Sequence, residues 1–286
     1  MCSVLKSNLK KSKLAGLLII SFLLFWSFIN IYPYLYLIIG SLKQDRDFYT
    51  SIFNFKVLTI DRYKDMFALK ELYFIRALFN SFFIAGAVTL SVLFFSAITG
   101  YAVSKLDFKG KTFITNFIIF QWIFTGTGVG FIVVFQLMVT LNMLSSYFAM
   151  IVPFLMSAWG VFLFSQYFKT IPMALIESAR IEGSSELGII FRIMIPMSKS
   201  VAAILGVFTF MGRWNDLLWS VLVIRKPQMM TLNLTIANFV LGGGGGDKPG
   251  LLFAATVILT LPILILFIIY RKQFISGISI GGGLKL

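Results

Sequence analysis

Few residues of this 286-residue chain could carry covalent or metal chemistry. It has no histidine and a single cysteine, Cys2, which excludes histidine zinc sites, Ser-His-Asp triads and an intrachain disulfide. Gly110-Lys111-Thr112 has the form of the end of a phosphate-binding loop. That pattern needs a glycine five residues before Gly110, where Lys105 stands. We therefore predict no catalytic, nucleotide or metal site in the chain.

Two ionisable residues, Arg213 and Asp216, interrupt an otherwise apolar run at 201–224. A charged side chain at the centre of a bilayer costs about 2.5–3.5 kcal/mol on insertion scales. Such residues are therefore expected either to neutralise each other or to serve a transport path. A spacing of three residues lets them pair on one helical face.

The composition places the elements that hold these residues in a membrane. Hydrophobic residues make up 58% of the chain, charged residues 13%, and the mean hydropathy is +0.91, whereas soluble domains have about 45–50% and about 25%. The net charge of +14 could indicate nucleic acid, but the basic residues flank apolar runs, as in membrane proteins. We predict an all-α membrane protein with the lipid bilayer, and no nucleic acid, as a partner.

Six apolar runs meet the length of about 20 residues that a membrane helix needs. They are 14–42, 77–104, about 113–140, about 147–168, 201–224 and 250–270. The first is too long for a signal peptide and lacks a cleavage site, so we expect a retained anchor. The predicted parts are an N-terminal tail (1–13), a six-span transmembrane domain (14–273) and a C-terminal tail (274–286). Lys and Arg number 14 on the side of both tails and 10 on the other, which favours cytoplasmic termini.

The segments between the spans are short. Residues 59–79 place Tyr63, Met66, Phe67 and Tyr73 at helical spacing between charged residues, which predicts an amphipathic helix at the membrane interface. The glycine run 242–246 predicts a flexible outer loop. None of these segments has room for a soluble catalytic domain. If this protein performs work, we therefore expect another chain to supply the energy for it.

The loop 170–198 contains Glu177-Ser178-Ala179, then Gly183, then Ile193-Met194-Ile195-Pro196. Gly183 permits a left-handed turn between two short helices, and composition alone would favour an ordinary helix-turn-helix connection. The spacing resembles the signature of permease subunits in binding-protein-dependent ABC importers, which reads E-A-A, three residues, G, nine residues, I-x-L-P. Ser178 and Ile195 depart from it conservatively.

More of the chain is similar to the maltose-type second permease of carbohydrate importers. The matching segments are Gly40-Ser41-Leu42-Lys43, Asp61-Arg62-Tyr63, Asn80-Ser81, Gly100-Tyr101-Ala102, Glu182-Gly183, Trp214-Asn215 and Gly277-Ile278-Ser279. The third span departs from the family, because it has Gly126, Gly128 and Gly130 where a proline is frequent.

The resemblance implies a type I ABC importer permease with six transmembrane helices and a cytoplasmic coupling-helix loop, in a bacterial inner membrane. It implies as partners a second homologous permease, two ATPase subunits that bind ATP and Mg²⁺, and an extracytoplasmic solute-binding protein that delivers a sugar. The chain itself would hold no cofactor and would not be an enzyme. The residues expected to meet an ATPase are Glu177, Ser178, Ala179, Glu182, Gly183 and Pro196.

The residues expected to line the substrate path are Arg213, Trp214, Asn215, Asp216 and Trp219, because aromatic and planar polar groups suit sugar rings. A guanidinium grips carboxylates bidentately, so we favour an acidic, uronate-containing oligosaccharide. Mutual neutralisation of Arg213 and Asp216 is the alternative role of the pair. The alternative functions are permease for a polyol or glycerophosphate, and an intramembrane lipid-modifying enzyme, for which Asp216 would be the one intramembrane acid.

Overall fold

The computed structural model describes residues 2–43, 58–69, 73–125, 128–243, 246 and 248–281. Within them, helices are joined by short connections, and an isolated bridge between Lys43 and Leu58 is the only β-pairing. Gly126, Gly244 and Gly245 of the glycine run, and the last five residues lie outside the described residues. The helices are α1 (Cys2–Ser41), α2 (Asp61–Ala68), α3 (Phe74–Lys105), α4 (Lys111–Thr125), α5 (Gly128–Thr140), α6 (Tyr147–Ile151), α7 (Ala158–Thr170), α8 (Met173–Ile181), α9 (Glu186–Ile189), α10 (Ile195–Met197), α11 (Lys199–Trp214), α12 (Leu218–Val223), α13 (Leu232–Leu241) and α14 (Pro249–Gly281).

The all-α membrane class is confirmed, but the count of six spans is not. Four segments of the described chain are long and apolar enough to cross a bilayer, namely Gly16–Ser41, Phe74–Lys105, Tyr147–Thr170 and Pro249–Gln273. They correspond to the first, second, fourth and sixth predicted spans. Glu186–Met197 and Lys199–Trp214, bent by 86° at their junction, would make a fifth.

Two predicted spans are each represented by two helices. The third, expected at about 113–140, is described as α4 and α5, of 15 and 13 residues, on either side of residues 126–127, which lie outside the described part of the chain. The fifth, expected at 201–224, stops at Trp214 and resumes at Leu218. The charged residues that interrupt this apolar run thus lie at a break in the helix, with residues 215–217 between its two parts.

The chain divides into two compact units, Met1–Ala68 with Phe239–Ile258 and Leu69–Asn238 with Leu259–Leu286. In the first unit, the hydroxyls of Ser41 and Tyr63 share a hydrogen bond of 2.8 Å, and Met66 is fully buried. The amphipathic helix predicted over 59–79 is only α2, and Tyr73 lies outside it with a φ of 44°. That left-handed residue immediately precedes α3.

The core of the second unit is built on α3, which packs against α7 and α11. Two glycines allow the close approach. A Cβ at Gly100 would lie 2.8 Å from the Cβ of Phe164, and a Cβ at Gly160 would lie 2.7 Å from Oγ of Ser96. Contacts this short leave no space for a methyl group, so α3 and α7 touch almost backbone to backbone.

Candidate functional site

The loop 170–198 folds as two short helices joined by a glycine turn. Pro172 precedes α8, and Gly183 follows it with the predicted left-handed conformation, at a φ of 83°. The Gly183 N–H donates to the carbonyl of Arg180, and the Ser184 N–H to that of Ala179, which satisfies carbonyls that a helix end leaves free. Ser185 then caps α9, since its Oγ accepts from the Gly188 N–H at 3.2 Å.

One face of this loop is part of the core. Ile176 and Ala179 of α8, with Ile189 and Met194 beyond the turn, are buried in a cluster that includes Tyr101 of α3 and residues of α7. The opposite face is exposed. Of the predicted coupling residues, the structure buries Ala179 and exposes the rest, which are Glu177, Ser178, Glu182, Gly183 and Pro196.

An apolar side chain stands in the middle of the exposed face. Ile181 is 88% exposed and lies between Glu177 and Glu182 in sequence. An isoleucine displayed beside two carboxylates offers a partner both an apolar anchor and negative charge. The arrangement can therefore bind a protein surface, while its buried side packs in the core.

Two polar residues that sequence reasoning missed connect the loop to α3. The Tyr101 hydroxyl donates to Glu186 Oε2 at 2.6 Å, and Arg180 Nε donates to Glu186 Oε1 at 2.8 Å. The hydrogen bond from Arg180 raises the pKa of this guanidinium above its ordinary value. Arg180 of α8 thus bonds with a residue beyond the turn. The only sequence feature that could have indicated this contact is a tyrosine near the end of a span.

The break between α11 and α12 brings Arg213 and Asp216 together. Arg213 Nη1 lies 3.2 Å from Asp216 Oδ2, and the guanidinium carbon lies 3.8 Å from the centroid of the Phe154 ring. The other carboxylate oxygen, Oδ1, accepts the Trp219 backbone N–H at 3.2 Å. Asp216 therefore acts as a helix cap and as the counter-ion of Arg213 at the same time.

The structure uses both predicted path tryptophans for packing. Trp214 is 1% exposed and donates its indole N–H to the Leu259 carbonyl at 2.8 Å. Trp219 is fully buried, donates to the Ala149 carbonyl at 2.9 Å and packs edge-on against Phe154. Trp219 nevertheless lines the cavity beside Arg213 described below, whereas Trp214 does not. Asn215 is exposed, and its carbonyl accepts a hydrogen bond from Asn233.

A cavity of about 350 Å³ lies beside Arg213. Its polar lining includes Gln121, Ser157, Thr209 and Arg213, and its aromatic lining includes Trp122, Phe154 and Trp159. A mixture of aromatic faces and a few polar groups is typical of small-molecule sites. Trp122, 46% exposed, and Trp159 are the tryptophans that sequence reasoning overlooked, because nothing in their spacing marks them.

In the part of the chain that the structure describes, no three Cys, Asp or Glu side chains are grouped so that they could hold a metal ion. The charged groups of the two regions above instead bond to each other, as the Glu186 and Asp216 pairs show.

No protein-family model matches the chain. It is similar to the arabinooligosaccharides transport system permease protein AraQ of Bacillus subtilis, at 32% identity over 265 residues, or 91% of this chain and 93% of the relative. It is also similar to the polygalacturonan/rhamnogalacturonan transport system permease protein YtcP of Bacillus subtilis, at 26% identity over 286 residues, or 95% of this chain and 98% of the relative.

Two solved structures share the fold. One chain of a bacterial ABC transporter involved in the import of the acidic polysaccharide alginate matches with a TM-score of 0.79 and 20% identity, over 92% of this chain and 97% of that one. A chain of a bacterial alginate ABC transporter in complex with its alginate pentasaccharide-bound periplasmic protein matches with a TM-score of 0.63 and 16% identity, over 93% and 96%. The similarity to AraQ extends over both chains almost completely, and so this chain belongs to the family of carbohydrate ABC importer permeases.

Proposed function

We propose that this sugar importer permease forms half of a membrane path, enclosed with a second homologous permease. Two ATPase subunits bind ATP and Mg²⁺ below it, and an extracytoplasmic solute-binding protein delivers the sugar. The complex of a similarly folded transporter with a periplasmic protein supports the last partner. The observation that carries the proposal is the loop 170–198, with one face in the core and Glu177 and Ile181 exposed on the other.

In this proposal the loop and both termini face the cytoplasm, where the ATPases are, and residues 14–273 make up the membrane part. An ATPase cleft receives α8. Glu177 pairs there with a basic group, and such a pair contributes more in a partly buried cleft than at an open surface. Closure of the ATPases displaces α8, and the buried Ile176 and Ala179 pass the movement to the spans.

Glu177→Ala and Gly183→Ala test the coupling role. Both variants are expected to lower transport and sugar-stimulated ATP hydrolysis in the assembled complex, while the binding protein keeps its affinity. Gly110→Ala is the matched control for the turn, because Gly110 has a φ of 88° and, like Gly183, no atom within 4 Å of an added Cβ. If all three variants transport equally well, the loop is only a connection between spans.

We also propose that Arg213 lines the sugar path at the cavity beside it and favours an acidic oligosaccharide. A uronate carboxylate can accept two parallel hydrogen bonds from a guanidinium, and Trp122 and Trp159 offer rings for stacking. An alginate importer shares the fold, and the name of YtcP refers to polygalacturonan, so acidic substrates occur among similar proteins. Asp216 holds Arg213 when no sugar is present.

Uptake assays with Arg213→Gln and Arg213→Lys test this role. We expect Gln to abolish uptake of a uronate oligosaccharide and Lys to retain part of it, in complexes that still assemble and hydrolyse ATP. The same oligosaccharide with its carboxylates reduced to alcohols is the matched competitor, and it should compete poorly in the wild-type complex. If Arg213→Gln fails to assemble and adding Asp216→Asn restores assembly, Arg213 and Asp216 serve only to neutralise each other.

A further inference from the structure

The C-terminal end of α3 is hydrogen-bonded to the loop 170–198 at two points. Tyr101 and Lys105 are one helical turn apart and therefore lie on the same face. The Tyr101 hydroxyl donates to Glu186 at 2.6 Å, and Lys105 Nζ donates to the Ile171 carbonyl at 2.5 Å. One face of one span is thus bonded both to the beginning of the loop and to its middle.

Glu186 is the point at which the spanning helix and the loop helix meet. Its Oε2 accepts from Tyr101 of α3, and its Oε1 accepts from Arg180 in the last turn of α8. Hydrogen bonds to an ionised carboxylate are roughly twice as strong as neutral ones. The tyrosine is 1% exposed, so its hydroxyl has little water with which to replace the bond.

The helix behind this contact cannot easily slide. Gly100, next to Tyr101, lets α3 approach α7 so closely that an added Cβ would lie 3.2 Å from the Ser165 backbone nitrogen. On the loop side, Ile176 and Ala179 of α8 are buried in the same cluster as Tyr101. A displacement of α8 therefore reaches α3 through a packed and hydrogen-bonded contact.

We propose that Glu186 is a positioning residue for energy coupling, which joins α8 to α3 through Arg180 and Tyr101 so that both move as one body. The inference rests on the proposed coupling role of the loop and adds to it the route by which movement leaves the loop. Glu186 makes no contact with sugar or nucleotide in this scheme. It acts only by keeping α8 aligned with the span.

The test uses the complete transporter in lipid nanodiscs, with binding protein and sugar, and measures sugar transported per ATP hydrolysed. Glu186→Gln and Tyr101→Phe should each lower this ratio about tenfold, which is the change that a lost hydrogen bond to a charged group corresponds to. The double variant should be little worse than Glu186→Gln alone, because glutamine has only one acceptor oxygen for Tyr101 and Arg180, so both changes weaken the same contact. Purified complexes are compared at equal assembly.

Tyr147→Phe is the matched control. It removes another tyrosine hydrogen bond, of 2.7 Å to Asn80 Oδ1, and should reduce stability without changing the ratio. An unchanged ratio in both Tyr101→Phe and Glu186→Gln overturns the proposal. If Tyr101→Phe fails to assemble, Glu186→Gln decides, since this side chain is 45% exposed. Normal ratios in Glu177→Ala and Gly183→Ala as well would instead overturn the coupling role of the whole loop.

Discussion

Replacing Gly100 by alanine should separate α3 from α7. The new Cβ would lie 2.8 Å from the Phe164 Cβ and 3.2 Å from the Ser165 nitrogen, whereas ordinary contacts begin at 3.4 Å. Neither atom is the end of a flexible side chain, so the helices must move apart by about 0.6 Å, and overpacking of this kind costs about 1–3 kcal/mol. The higher helix propensity of alanine returns up to about 1 kcal/mol. The expected net loss of stability is about 1–2 kcal/mol.

Gly86→Ala in the same helix is the control, because no atom lies within 4 Å of its added Cβ. It should leave stability unchanged or raise it by up to about 1 kcal/mol. Both variants are compared by the midpoint of thermal unfolding in the same detergent, and by the sugar-to-ATP ratio in nanodiscs. Since Tyr101 is adjacent, Gly100→Ala should also lower that ratio. Equal midpoints for the two variants would refute the close approach of α3 and α7.

Three further outcomes are expected. Cysteines placed at Lys64 and Lys199 and treated with an impermeant reagent in intact cells should be labelled at 64 and not at 199, and the opposite pattern would reverse the proposed topology. Asn80→Ala removes a buried amide that donates to the carbonyls of Gln228 and Met230, and should cost about 3 kcal/mol in unfolding experiments. Asn30→Ala, at an exposed site, should cost much less, and similar costs would contradict the assigned contacts. Among transporters with a substitution at position 183, Gly183→Asn should retain more transport than Gly183→Ala or Gly183→Val, because asparagine tolerates a positive φ better.

The sequence was most informative where a local rule decides the structure. Charge-free runs located four spans, and glycine at 183 indicated a left-handed turn that the structure contains. The spacing of Arg213 and Asp216 also indicated their possible pairing, which the structure shows at 3.2 Å. In each case the neighbours along the chain are enough to determine the outcome, because helix length, turn conformation and i to i+3 contacts are local properties.

Contacts between distant segments could not be predicted in the same way. The bond between Tyr101 and Glu186 joins residues 85 positions apart, and no periodicity indicates it. The burial of Trp214 and Trp219 could not be predicted either, because which side of a helix faces the core depends on how other helices pack. The break after Trp214 also depends on distant residues. It is stabilised by tertiary hydrogen bonds, such as that from Asn233 to the Asn215 carbonyl.

The break between α11 and α12 limits when this part of the chain can complete its folding during synthesis. Backbone groups freed at membrane depth must find partners within the protein, because lipid offers none. The Asn215 carbonyl bonds to Asn233, 18 residues later, and the indole N–H of Trp214 bonds to the Leu259 carbonyl, 45 residues later. While residues 199–223 emerge from the ribosome, these acceptors and donors do not yet exist. This segment can therefore complete its described hydrogen bonds only after the chain has been synthesised as far as Leu259, within the last helix.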